Sequence, residues 1–171
     1  MNAMEVHREA LVWAAQLLDM VTVDLTNEQA HALPTGIANP IGATYAHAVA
    51  GTDVAINSLL AGGAPLFATT WAGRTGISEP QWHQSQQWAR TVQIDLPALR
   101  EYAAAVFAGA DAYIASLEAA SLDRELDLTA NGLGKQSVSW VLSALVTGHV
   151  NNMAGEISAL KGTLGAQGYP F

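Results

Sequence analysis

The 171-residue sequence contains no cysteine. That absence removes disulfides, thiolate metal sites and a cysteine nucleophile, and it fits a reducing, cytoplasmic setting. Charge is scarce as well. Only 13% of residues are charged, and seven Lys and Arg stand against fifteen Asp and Glu, for a formal net charge of −8. A surface of that sign repels phosphate backbones and anionic lipid, so neither nucleic acid nor a membrane is an expected partner. Met1 to Ala10, with Glu5, His7, Arg8 and Glu9, lacks the basic start and apolar core of an export signal. No internal repeat of roughly 20 to 50 residues occurs, and no low-complexity run.

What is abundant is apolar side chain, at 50% of the residues. A chain of this length suits one domain over 1–171, able to bury about 70% of the surface its unfolded form exposes. The most apolar run, Ile41 to Leu60, has the length of a membrane span. It also carries Thr44, His47, Thr52, Asp53, Asn57 and Ser58, which favours a helix buried within protein.

Apolar residues at three- and four-residue steps predict four long helices. Val6, Ala10, Leu11, Ala14, Leu17, Leu18, Val21 and Leu25 mark the first, over about 4–25. Thr26 with Gln29 has the form of a capping box opening one further turn, which Pro34 and Gly36 end. Asn39 as a cap with Pro40 at the first helical position opens helix 2, about 40–61. Residues 64–94 then read as a long crossover with a short helix after Ser78. Asp95 caps helix 3, about 96–120, and helix 4 spans about 137–162. Between them, Asn131-Gly132 marks a small hairpin within 122–137. The expected fold is all-α, a four-helix bundle with a long crossover between helices 2 and 3.

On helix 4, His149, Met153 and Glu156 are four and three residues apart and share one face, the apolar one. On helix 2, His47 is flanked a turn away by small residues, Ala43 or Thr44 and Ala50 or Gly51, which leave room beside an imidazole. Two neutral histidines on facing helices can meet on one metal ion if a third ligand joins them. They can equally be buried and hydrogen-bonded to backbone or to each other. A shared ion requires the rings within about 8 Å, given metal–nitrogen bonds of roughly 2 Å.

The segments Tyr45-Ala46-His47, Gly63-Ala64-Pro65-Leu66-Phe67, Trp71-Ala72-Gly73-Arg74-Thr75-Gly76, Asp95 to Tyr102, and Gly155-Glu156-Ile157 with Gly168-Tyr169-Pro170-Phe171 together resemble the DinB-like (DinB/YfiT-like) family. That family is related to bacillithiol- and mycothiol-dependent enzymes, and the resemblance spans nearly the whole chain. It implies a divalent metal, zinc or nickel, held by one helix 2 histidine and a His-x-x-x-His pair on helix 4. Carried over, two ligands fall on His47 and His149, and the third falls on Met153, where the pattern departs. A thioether is a soft, neutral ligand that suits copper(I) better than zinc or nickel. Glu156 through a carboxylate oxygen, or Asn152 through its amide, could substitute. Otherwise Met153 is core packing, Glu156 makes a local salt bridge, and Asn152 faces a neighbouring helix or solvent.

The chemistry the resemblance implies is activation of a thiol or water followed by transfer or hydrolysis, acting on a small molecule or low-molecular-weight thiol. Trp71 and Arg74 of the crossover could lid the pocket, or with Trp82 and Trp88 simply cover the bundle edge. The alternative is a non-catalytic ligand-binding or dimerisation module that has lost the metal. A homodimer through exposed apolar helix faces is expected in either case.

Other chemistries fit poorly. A di-iron site needs two inward Glu-x-x-His motifs, and only Glu28 with His31 has that spacing. Gly132-Leu133-Gly134-Lys135-Gln136-Ser137 departs from a phosphate loop at Thr129 and Gln136. His7, His31 and His83 read as solvated residues near helix ends or loops.

Overall fold

The structure is a computed structural model, and it describes residues 2–171. Helix α1 (Ala3–Thr22) opens on a capping box in which the Asn2 side chain accepts from the Glu5 N–H and Glu5 accepts from the Asn2 N–H. Of the expected stripe, Leu11, Ala14, Leu18 and Val21 are buried within the helix, whereas Val6 near its start is 51% exposed. It stops three residues short of the expected end. The guanidinium of Arg100 takes over there, donating to the carbonyls of Thr22, Val23 and Leu25 at 2.8, 3.2 and 3.4 Å. A cation at that terminus also suits the helix dipole. Helix α2 (Asn27–His31) starts at the Thr26–Gln29 capping box.

Helix α3 (Ile41–Asp53) begins after Pro40, which occupies the cap itself, with no side-chain cap from Asn39. It continues without a break as a π-helical segment, Val54–Leu60. The crossover contains a 3-10 turn, Leu66–Ala68, and helix α4 (Gln86–Thr91). Ser85, rather than Ser78, caps α4 by accepting from the Trp88 N–H. Helix α5 (Leu96–Ala115) is capped by Asp95, with Pro97 in its first turn. It ends five residues before the expected boundary, followed by a 3-10 turn, Ala119–Asp123. The small hairpin is present: β1 (Glu125–Asp127) pairs antiparallel with β2 (Lys135–Ser137), Leu126 opposite Gln136. The final rod is α6 (Val138–Trp140), a π-helical segment (Val141–Gly148) and α7 (His149–Thr163).

Four rods form a ring in which α1 and α3 each lie between α5 and α7. The apolar interior divides into two clusters. One gathers Leu18, Tyr45, Val49, Leu99, Tyr102 and Ile157, and the other Leu11, Ile56, Ile114, Val138 and Leu142. Each such leucine or isoleucine contributes about 1.5–3 kcal/mol by leaving water. Among the described residues, no helix is long and apolar enough to cross a membrane. The Ile41 to Leu60 run is therefore protein core: Ile41 to Ala46 and Ala48 to Ala50 are buried between neighbouring helices.

One fully buried carboxylate ties the crossover to the bundle. Asp53 accepts from the Tyr102 hydroxyl at 2.5 Å, the Asn57 amide at 2.7 Å and the backbone N–H groups of Leu66 and Phe67 at 2.8 and 3.1 Å. All four donors converge on one side chain, which is how its charge is tolerated inside the fold. Burial first, and then the hydrogen bond to Asp53, push Tyr102 ionisation well above its ordinary range.

The histidine cavity between α3 and α7

Thr44 of α3 meets Glu156 of α7, and Gly51 meets His149, so the two rods run antiparallel with their histidines at mid-height. The rings of His47 and His149 stand edge to face, centroids 4.7 Å apart and planes at 83°. That is well inside the limit of about 8 Å that a shared ion imposes. Nδ1 of His47 and Nε2 of His149 are both buried and have no hydrogen-bond partner. Unpaired buried nitrogens are costly, and each marks a place where another atom would be stabilised.

Gly51 preserves space at this point. A methyl group there would stand 3.2 Å from His149 Nε2, tighter than ordinary contact. The resulting cavity has a volume of about 170 Å³ and is lined by His47, Gly51, Ala55, Trp82, Leu145 and His149. Ala55 and Leu145 come from the two π-helical segments. Such segments often accompany functional sites because the wider turn re-aims side chains. Burial is the main cause that lowers the His47 pKa to about 4, with the neighbouring His149 adding to it and a backbone hydrogen bond to Trp82 opposing it. Burial also lowers the pKa of His149. Both rings are thus neutral at ordinary pH, with lone pairs free to bind.

The structure brings together only part of the candidate set. Met153 is half-buried and packs against the larger apolar cluster. Glu156 accepts from the Thr44 hydroxyl at 3.4 Å, a long contact, and among the described residues no salt bridge holds it. Asn152 is exposed to solvent, which removes it as an inward ligand. Trp71 lies against Tyr102, ring centroids 5.7 Å apart, and Arg74 stacks over Trp71 at 5.1 Å while donating to the Thr70 carbonyl. Neither lines the histidine cavity. The tryptophan that does is Trp82, whose partner on its outer side is His83. Trp88 is buried, its indole N–H donating to the Glu79 carbonyl.

The other histidines have separate roles. His83 is exposed. His31 is half-buried rather than simply solvated, with one ring nitrogen bonded to the Asn27 carbonyl and the other accepting from the Ile94 N–H. His7 is half-buried against the Ser139 hydroxyl at 3.3 Å. Among the described residues, no group of three or more His, Cys, Asp or Glu is placed to hold a metal ion.

An all-α ring of four rods, with two imidazoles meeting across α3 and α7, each with one ring nitrogen lacking a partner, defines a class of helical bundle proteins with an interhelical pocket. The chain belongs to the DinB superfamily, whose sequence pattern matches residues 10–153. The fold is similar to a crystal structure of a conserved protein from Enterococcus faecalis, with a TM-score of 0.81 and 18% identity over 96% of this chain and 99% of that one. No curated protein matches the sequence.

Proposed function

We propose that this DinB-superfamily protein is a metal-dependent enzyme of thiol-transferase or hydrolase type, acting on a small molecule at the His47–His149 cavity. The observation that carries the reading is the pair of buried, unpartnered nitrogens on facing helices. They and the space kept by Gly51 fit two positions of a metal site. The family's third position falls on Met153, which does not line the cavity; its thioether would suit a soft ion such as copper(I) better than zinc or nickel. When bound, the ion would supply Lewis-acid activation of a thiol or water.

The chain's own residues do the rest. The two imidazoles offer neutral lone pairs without first losing a proton, because burial holds them deprotonated. Trp82, Leu145 and Ala55 give the cavity apolar walls that limit water.

Elemental analysis of protein purified without a metal-chelating tag tests the proposal. Near-stoichiometric metal, lost in His149→Ala, supports it. No metal as isolated, and no thermal shift with copper(I), zinc or nickel, sinks it. Met153→His should raise zinc or nickel affinity above that of the parent if the pocket keeps the family geometry.

The second reading, a ligand-binding or dimerisation module without metal, draws on the same cavity having only two strong donors among its lining residues. For either reading we propose a homodimer. Val6, Val12 and Trp13 on α1 are 51%, 44% and 48% exposed. Beside them runs a groove of about 720 Å³ between α1 and α5, floored by Leu11, Leu18 and Phe107. Exposed Ala104 and Ala108 let a second helix approach closely there.

A further inference from the structure

We infer that the histidine cavity takes an uncharged, single-ring aromatic ligand with one hydroxyl or thiol group, of the size of phenol or thiophenol, and not a peptide-sized anionic thiol. The inference rests on this cavity being the functional site, but not on a metal being present in it.

Size is the first argument. Sites for drug-sized ligands occupy roughly 300–1,000 Å³, whereas this cavity offers about 170 Å³. An apolar cavity of about 150 Å³ engineered into another protein binds benzene, so one six-membered ring is the matching guest. Wall chemistry is the second argument. Trp82, whose indole stacks on His83, lines one side, and Ala55 and Leu145 supply aliphatic surface. A ring between them gains both apolar burial and aromatic contact.

Polarity fixes the substituent. Among the lining residues, the buried polar atoms without partners are His47 Nδ1 and His149 Nε2, and a neutral imidazole has one acceptor nitrogen. A single hydroxyl or thiol hydrogen donated to one of them satisfies a buried group that now has nothing. Charge excludes the larger thiols. No Lys or Arg lines the cavity, and Arg74, the cation of the crossover's aromatic cluster, is committed to Trp71 and the Thr70 carbonyl. Carboxylates brought here would be desolvated without a counter-charge, in a chain already at −8.

The test is titration of the purified full chain, as isolated and after chelator treatment, with phenol and with glutathione. Binding is followed by calorimetry and by nitrogen-detected NMR of the histidine rings. Phenol should saturate one site and shift the ring nitrogens of His47 and His149, while those of His31, bonded to the Asn27 carbonyl and the Ile94 N–H, stay fixed. Trp82→Ala should weaken phenol at least tenfold. Gly51→Ala, a smaller insult beside His149 Nε2, should weaken it severalfold in a protein whose circular dichroism is unchanged.

Absence of ring shifts at millimolar phenol overturns the inference, as does glutathione binding as tightly as phenol. Phenol binding that survives chelation supports it even where elemental analysis finds no metal and the enzymatic proposal has failed.

Discussion

Removing the Asp53 carboxylate should be among the most destabilising single changes in the protein, because four donors converge on it. In Asp53→Ala the Tyr102 hydroxyl, the Asn57 amide and the N–H groups of Leu66 and Phe67 lose their acceptor. A buried donor left unsatisfied costs about 1–3 kcal/mol. Leu66, Phe67 and Asn57 are half-buried and can recover water if the crossover shifts, whereas Tyr102 is fully buried and cannot. One donor at full cost and three at a fraction sum to about 3–4 kcal/mol, in the range for breaking a buried charged network. With a urea m-value of about 2 kcal/mol/M, the unfolding midpoint falls by about 1.5–2 M. Tyr102→Phe removes a single donor and should cost about 1–2 kcal/mol. The double variant should then cost at least about 1 kcal/mol less than the sum of the singles, since the two groups are directly bonded. An Asp53→Ala midpoint within about 0.3 M of the parent, or strict additivity in the cycle, would refute the assignment of Asp53 as the anchor.

The His47 pKa is depressed to about 4 in the folded state from an ordinary 6.5. The unfolded chain therefore takes up the proton first, so this contribution is complete above pH 6.5, declines as pH falls from 6.5 to about 4, and is gone below. In chelator-treated protein, the unfolding free energy from denaturant titration should drop over that window by up to about 3 kcal/mol more than in His47→Gln. Identical pH profiles for the two proteins would contradict the buried, neutral ring. Gly51→Val should fill the space beside His149 Nε2 and abolish metal uptake, and retained stoichiometric metal in that variant would place the ion elsewhere. Trp13→Glu should convert a dimer to a monomer by light scattering, and an unchanged mass would move the interface off α1.

Legibility in the sequence followed the range of the interactions concerned. The stripe Leu11, Ala14, Leu18 and Val21, the Thr26–Gln29 box and the Asp95 cap are set by neighbours within a turn, and each stands where the residues predict it. Helix ends decided by distant partners were not readable. The first helix stops at Thr22 because a guanidinium from α5, 78 residues on, is there to take its carbonyls. The π-helical segments escaped for a related reason: Val54–Leu60 and Val141–Gly148 carry the same apolar residues that an ordinary helix would, and no composition marks the wider turn.

The same division runs through the site. That His47 and His149 share an interior followed from their places on two apolar helix faces, and room beside an imidazole followed from Gly51. Which tryptophan closes the cavity did not, because the fold of the long crossover is fixed by Asp53 and by pairing such as Ile77 with Ile94, contacts that no local pattern encodes. Those long-range ties place Trp71 on Tyr102 and leave Trp82 over the histidines. Rigidity of the crossover and selectivity of the pocket are in this way coupled. Loosening the Asp53 anchor should therefore disturb the Trp82 wall as well as stability, and a stable protein that retains full phenol affinity in Asp53→Asn would show the two to be independent.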